Sequence, residues 1–177
     1  MADFYRQRGR PERAVRIYES MLRGNHDLAE MKRIELLKAL ADLCVELNQF
    51  EQAKMHLNDA VAILGGLGDS SIMGPINESF GDLNVKQSRL DDAIEYYWKA
   101  VKFCEQDPQC PRSNYLNLLN NISSCQFGKQ EKMSVEQARN TAEMALEFYK
   151  NSDLSECKDA NIAQLIDNLH HIILKSQ

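Results

Sequence analysis

A pair of small residues recurs along this chain at a fixed distance, and this self-similarity constrains the fold more than any other feature. The members of each pair lie twelve positions apart: Ala2 and Ala14, Ala41 and Ala53, Gly81 and Ala93. Each second member opens a phrase that continues four and seven positions later: Ala14-Tyr18-Met21, Ala53-Leu57-Ala60, Ala93-Tyr97-Ala100 and a looser Ala138-Ala142-Ala145. A phrase that recurs in this way is typical of helical hairpins stacked into a solenoid. Such a solenoid offers much of its surface to other molecules.

Hydrophobic residues recur at steps of three and four along most of the chain, as amphipathic helices require. The pattern predicts an all-α fold of about three and a half repeats plus a C-terminal capping helix, in a single domain over residues 1–177. The predicted bounds are 1–23 for a partial repeat, 28–64 and 72–105 for two repeats, 112–150 for a degenerate repeat and 159–175 for the capping helix. Ser134, with Gln137 three residues later, matches a capping box and is predicted to start a helix.

The paired small residues have a packing role. Two antiparallel helices that touch along their length need small side chains where their backbones come closest and bulky ones to fill the adjoining space. Ala41 and Ala53 are expected to meet at such a crossing, and Gly81 and Ala93 at the next one.

The repeated phrase resembles the tetratricopeptide repeat, whose signature is a small residue in the first helix, then Ala-x3-Phe/Tyr and a further Ala in the second. The resemblance covers residues 1–150 and implies a right-handed α-solenoid. The steps between Ala14, Ala53, Ala93 and Ala138 are 39, 40 and 45 residues, longer than the usual period of about 34. Longer repeats of this sort resemble the adaptor arrays of the kinesin light chain type.

The chain begins inside a repeat, because Ala2 and Tyr5 occupy late positions of a first helix. A terminal repeat without a polar cap leaves apolar surface uncovered. We therefore expect a neighbour at the N-terminal face, which would be either further repeats upstream or a second copy in a homodimer.

Composition narrows the class of protein. The 177 residues carry a formal net charge of −5, whereas a nucleic-acid-binding surface normally has a clustered basic face. No apolar run approaches the roughly 18 residues needed to cross a bilayer, and the N-terminus has no apolar signal core. We predict a cytoplasmic protein, with a nuclear or organelle-associated location left open, that has no nucleic-acid partner and does not insert into membranes.

The cysteines are odd in number and have no CxxC spacing, which argues against a disulfide framework and against a zinc site. They are therefore predicted to be ordinary reduced thiols: Cys44, Cys104, Cys110, Cys125 and Cys157.

Patterns of catalytic chemistry are lacking as well. The four histidines form no HExxH motif. The glycines of residues 65–68 lack the Lys-Ser/Thr of a phosphate-binding loop and follow a helix rather than a strand, so they are interpreted as a helix stop. The sequence thus predicts a protein that is not an enzyme and has no cofactor or metal.

The resemblance to tetratricopeptide repeats implies a concave groove lined by the first helix of each hairpin. It places eleven polar residues at lining positions: Glu35, Lys38, Asp42, Glu46, Glu78, Ser79, Asp82, Asn117, Asn120, Asn121 and Ser124. The acidic part would favour lysine or arginine in a bound segment. The asparagines could pair with the backbone of an extended peptide.

These observations predict a non-catalytic adaptor or scaffold that binds an extended, neutral-to-basic protein segment in the groove. The alternative is a structural subunit or assembly factor that acts through self-association or as part of a larger array. For the polar residues themselves, the competing interpretation is a solvated face, which every amphipathic helix has.

Overall fold

A computed structural model describes residues 8–24, 28–67, 72–156 and 159–176. Over these ranges the chain forms eight α-helices and one short 3₁₀ helix, without a β-strand. The helices are α1 (Pro11–Gly24), α2 (Glu30–Glu46), α3 (Phe50–Leu67), α4 (Met73–Lys86), α5 (Leu90–Gln106), α6 (Arg112–Gly128), α7 (Lys132–Lys150) and α8 (Ala160–Lys175), with the 3₁₀ helix at Asp153–Glu156. The predicted all-α class is confirmed, and none of the described helices is long and apolar enough to span a membrane.

The contacts between residues divide the chain into two compact units, Met1–Gln87 and Ser88–Gln177. The organisation of residues 1–177 as a single domain, the repeat bounds and the right-handed sense of the array stay predictions.

In the first unit, α2 and α3 form the most extensive helix pair, α1 packs on α2, and α4 packs on both α2 and α3. The repeated small residues Ala14, Ala41, Ala53 and Ala60 are completely buried. Small side chains let helix axes approach closely, so larger neighbours such as Leu57 can fill the adjoining space.

In the second unit, α6 is central, because it packs against α5, α7 and α8. The small residues of this unit are again inside: Ala93, Ala100, Ala138, Ala142 and Ala145. They share the core with large apolar side chains, among them Leu116, Leu119 and Ile122.

The last helix, α8, has one apolar side and one polar side. Ile162, Leu169 and Ile172 are buried, whereas Asp167 and His170 on the other side are exposed. The assignment of α8 as a capping helix stays a prediction. The N-cap of α8 is Asp159, whose carboxylate accepts a hydrogen bond of 2.8 Å from the backbone N–H of Asn161.

Three turns share one backbone feature that the sequence did not reveal. Asn48 after α2, Ser88 after α4 and Gln130 after α6 have φ angles of 58°, 60° and 56°. This left-handed region is common for glycine, is tolerated by asparagine and is costly for most other residues. The same turn conformation therefore follows α2, α4 and α6, although the residue type differs each time.

The prediction that Ser134 caps a helix is wrong. Helix α7 begins two residues earlier, at Lys132, and its N-cap is Glu131 without a side-chain cap hydrogen bond. The chain reverses at Gln130 and becomes extended at Glu131, so the helix starts directly after the turn and Ser134 lies buried in its first turn.

The prediction of reduced thiols is wrong for one pair, since Cys104 and Cys110 form a disulfide. The turn after α5 brings them together. Asp107 accepts hydrogen bonds from the backbone N–H groups of Gln109 and Cys110. The two cysteine Cα atoms lie 5.3 Å apart, within the usual range for a disulfide.

Two other cysteines, Cys44 and Cys125, are buried thiols. Burial raises the pKa of the Cys44 thiol, and the nearby negative charge of Glu19 adds to this effect. Cys157 lies outside the described residues.

Enlarging a buried small residue should destabilise the first unit. Ala53→Leu adds three carbon atoms where the side chain has no exposed surface, and we expect a loss of about 1–3 kcal/mol from overpacking. Chemical denaturation would measure this loss in the free energy of unfolding. The control is Ala62→Leu on the exposed side of the same helix. Equal midpoints for the two variants would contradict close packing at Ala53.

Relieving the left-handed turn should stabilise the second unit. Gln130→Gly removes the side chain that disfavours the φ of 56°, with an expected gain of about 1 kcal/mol or less, because glycine also adds freedom to the unfolded chain. The same substitution at Gln137, an exposed position inside α7, should cost about 1 kcal/mol. Thermal unfolding of both variants tests the opposite signs. A loss at both positions would refute the turn conformation.

Candidate interaction groove

In the first unit, α2 and α4 line a groove of about 350 Å³. We call it the α2–α4 groove. Its lining consists of nine residues, Lys38, Asp42, Val45 and Glu46 from α2 and Glu78, Ser79, Asp82, Val85 and Lys86 from α4. Six of the seven polar residues that the sequence placed in this part of the groove line it. Glu35 does not, and instead its carboxylate pairs with Lys32 on the surface at 2.6 Å.

The same pattern of positions repeats in the two helices. Asp42 and Asp82 each follow a buried small residue directly, and a valine comes three positions after each. Charged residues lie four positions before and after each aspartate, which puts all of them on one helix face. The two helices differ in the charge four positions before the aspartate, which is positive at Lys38 in α2 and negative at Glu78 in α4.

Asp42 connects the two helices. One of its carboxylate oxygens, Oδ2, lies 2.9 Å from Nζ of Lys38. The other, Oδ1, accepts a hydrogen bond of 2.6 Å from the hydroxyl of Ser79 in α4. Ser79 is almost fully buried, so this bond contributes to the packing of α4 on α2 and fixes the position of the Asp42 carboxylate.

Glu78 lies in surroundings that disfavour the charged form of its carboxyl. Burial raises the pKa of its carboxyl, and the nearby charges of Asp82 and Asp42 raise it further, while Lys38 acts in the opposite direction. The lining has four carboxylates against the two lysines Lys38 and Lys86. The groove is therefore negatively charged at neutral pH.

Val45 and Val85 are not among the eleven residues predicted from the sequence, all of which are polar. They give the groove an apolar strip: Val45 is largely buried and Val85 is 36% exposed. The sequence pattern that could have revealed them is their common position three residues after Asp42 and Asp82.

The asparagine-rich positions lie in the second unit, on α6, and two of them are engaged by α8. The side-chain amide of Asn168 donates to Oδ1 of Asn120 at 2.6 Å and to the hydroxyl oxygen of Ser124 at 3.1 Å. Asn120 is 9% exposed. Its hydrogen-bonding capacity is thus partly used within the protein.

Asn117 lies nearer the start of α6 and lines a second groove of about 400 Å³. The other lining residues come from the start of α6 and from the start of α8: Ser113, Asp159, Asn161, Ile162, Gln164 and Leu165. Asn121 is half-buried and does not line this groove. Peptide binding by any of the eleven residues stays a prediction.

Within the part of the chain that the structure describes, no group of three or more histidine, cysteine, aspartate or glutamate side chains is arranged to hold a metal ion.

Comparison with known proteins agrees with the helical repeat. A family model described as tetratricopeptide repeat matches residues 1–32, and no curated protein matches the sequence. Among solved structures, BtubC (BKLC) from P. vanneervenii is similar, with a TM-score of 0.81 and 18% identity over 99% of this chain and 69% of that one.

A putative kinesin light chain of Podosopora anserina with nearly identical TPR-like repeats is also similar, in two crystal structures. A variant form gives a TM-score of 0.75 at 16% identity over 99% of this chain and 81% of that one. The other structure gives 0.70 at 16% identity, covering 99% and 93%.

The chain therefore has a TPR-like all-α repeat fold, a class that generally mediates interactions between proteins. Its structural neighbours include kinesin-light-chain-like repeat proteins, in agreement with the resemblance seen in the sequence. At these identities the likeness shows the fold.

Removing the charge of Glu78 should stabilise the protein at neutral pH. Because its folded pKa lies above the ordinary value of 4.5, the native state binds more protons, and stability falls as pH rises from that value through the folded pKa. We expect Glu78→Gln to raise the thermal midpoint at pH 7 and to lose this advantage below pH 4.5.

The matched control for this measurement is Glu51→Gln, which removes an exposed carboxylate from the first turn of α3. It should leave the midpoint unchanged or lower it slightly, since an acid at that position complements the helix dipole. A lower midpoint for Glu78→Gln at pH 7 would show that native contacts favour the charged form.

Proposed function

We propose that this protein is a non-catalytic adaptor that binds an extended, neutral-to-basic protein segment, with the α2–α4 groove as the principal contact. The observation that carries the proposal is the lining of this groove, which combines four carboxylates with an apolar strip formed by Val45 and Val85. The fold class supports it, because repeat arrays of paired helices commonly bind other polypeptides on extended surfaces.

The chemistry of the lining suits a polypeptide. An extended segment has backbone N–H and C=O groups that need partners. Carboxylates such as Glu46 accept hydrogen bonds, and Lys86 at the groove edge donates them. The valines contact apolar parts of the bound side chains. The volume is near the lower end of the range of about 300–1,000 Å³ for ligand pockets, so this groove would hold a few side chains.

The excess of carboxylates in the groove lining supports a neutral-to-basic segment as the partner. The carboxylates would attract a basic segment and speed its association, and they would repel an acidic one. We place the protein in the cytoplasm, where such a segment would belong to another soluble protein.

Self-association, the alternative function, gains no support from α8. The side of α8 that faces away from the core is mainly polar, with Gln164, Asp167, His170 and His171 exposed, and an interface between copies normally has an apolar centre.

Selection from a library of random 12-residue peptides tests the proposal. The unmodified protein should enrich neutral-to-basic peptides, and the double variant Glu46→Lys and Asp82→Lys should bind them at least about tenfold more weakly, a change of about 1.4 kcal/mol. The control is Glu136→Lys with Glu147→Lys, an equal charge change on the exposed surface of α7. Failure to enrich peptides, or equal affinity for all three proteins, would refute this site.

A second variant tests the asparagine positions separately. Asn117→Ala with Asn121→Ala leaves the Asn168–Asn120 hydrogen bond intact. If α6 contributes contacts, this variant should weaken binding of the selected peptides. Unchanged affinity would assign these asparagines to the solvated helix surface.

A further inference from the structure

The lining of the α2–α4 groove has four carboxylates and two lysines. Lys38 is engaged with Asp42 at 2.9 Å, and the second oxygen of Asp42 is taken by the Ser79 hydroxyl at 2.6 Å. This lysine therefore already has a carboxylate partner one helical turn away. Glu78 lies on the facing helix, with Asp82 four positions later.

The Glu78–Asp82 pair departs from a pattern found elsewhere in the chain. At four other places, side chains four positions apart form ion pairs of opposite sign: Glu19–Arg23, Lys38–Asp42, Glu95–Lys99 and Arg139–Glu143. Glu78 and Asp82 have the same spacing and the same sign of charge, an arrangement that destabilises a helix. Glu78 occupies the position that corresponds to Lys38 in the preceding repeat.

Burial adds to the free-energy cost of the charged form of Glu78. Glu78 is half-buried in the groove, and its carboxyl is disfavoured as an anion both by burial and by the two neighbouring aspartates. A buried or partly buried anion is costly unless a cation or hydrogen-bond donors compensate it. The arrangement would be relieved by a cation that enters the groove from another molecule.

We infer that the α2–α4 groove selects one lysine or arginine side chain of the bound segment, and that Glu78 is the specificity-determining residue that receives it. This inference rests on the proposed function, since it names the side chain that the groove would recognise. Val45 and Val85 in the same lining would contact the aliphatic stem, as apolar surfaces do for long basic side chains.

An organic cation fits the site better than a metal ion does. The described residues include no group of three or more side chains placed to coordinate a metal, whereas a guanidinium or ammonium group needs only one or two carboxylates and an apolar surface for its stem.

The test compares two synthetic peptides of glycine and serine that differ at one central residue, arginine in one and its neutral isostere citrulline in the other. They are titrated into the isotopically labelled full chain and followed by the backbone amide signals of residues 78–86. The arginine peptide should give saturable shifts there and the citrulline peptide should not. Equal shifts from both peptides would overturn the inference, as would the same shifts from magnesium chloride alone.

The Glu78→Gln variant separates recognition from stability. It should bind the arginine peptide about tenfold more weakly, equivalent to 1.4 kcal/mol, and should unfold at a higher temperature at pH 7. Glu51→Gln should retain the affinity of the unmodified protein. A residue needed only for the structure would lose binding and stability together, so a lower unfolding temperature or an unchanged affinity for Glu78→Gln would contradict the assignment.

The library selection distinguishes failure of the inference about Glu78 from failure of the proposed adaptor function. If selected peptides bind the groove but tolerate replacement of each lysine and arginine by a neutral residue, the inference about Glu78 fails while the adaptor function stands. If neither the selected peptides nor the arginine peptide binds, both fail.

Discussion

Close approach of paired helices at very small side chains is the interaction on which this structure depends. Ala41 and Ala53 have no exposed surface, and neither does Ala60. A larger side chain at such a position would push the helices apart, and the leucines around it would lose their contacts. The spacing of the helices in turn determines how far apart the polar side chains on their remaining faces lie, so the groove depends on residues that do not line it.

The α2–α4 groove shows how two copies of one pattern acquire different chemistry. Position 42 and position 82 hold aspartate in both helices, but the residue one turn earlier is Lys38 in one and Glu78 in the other. The first pair is neutral as a whole, because Lys38 and Asp42 form an ion pair at 2.9 Å. The second consists of two acidic groups, and burial of Glu78, together with the nearby charges of Asp82 and Asp42, raises the pKa of its carboxyl.

Local periodicity was sufficient to predict the helices, the pairing of α2 with α3 and of α6 with α7, and the burial of the small residues, because these follow from spacing along the chain. Features that depend on a turn were not predictable in this way. The disulfide of Cys104 and Cys110 needs the reversal around Asp107, and the start of α7 follows the conformation of Gln130. The engagement of Asn120 by Asn168 was also missed, since it joins residues 48 positions apart.

The one-sided composition of α8 has a consequence for lengthening the array. Its outward residues at steps of four and three are Ala163, Asp167, His170 and Leu174, all exposed, and the first and last of them are already suited to contact with another helix. Asp167 and His170 lie between these two apolar residues and keep this side of α8 mainly polar. Replacing these two with apolar residues would give α8 a second apolar side, onto which an additional hairpin from a related protein could be grafted by modular engineering.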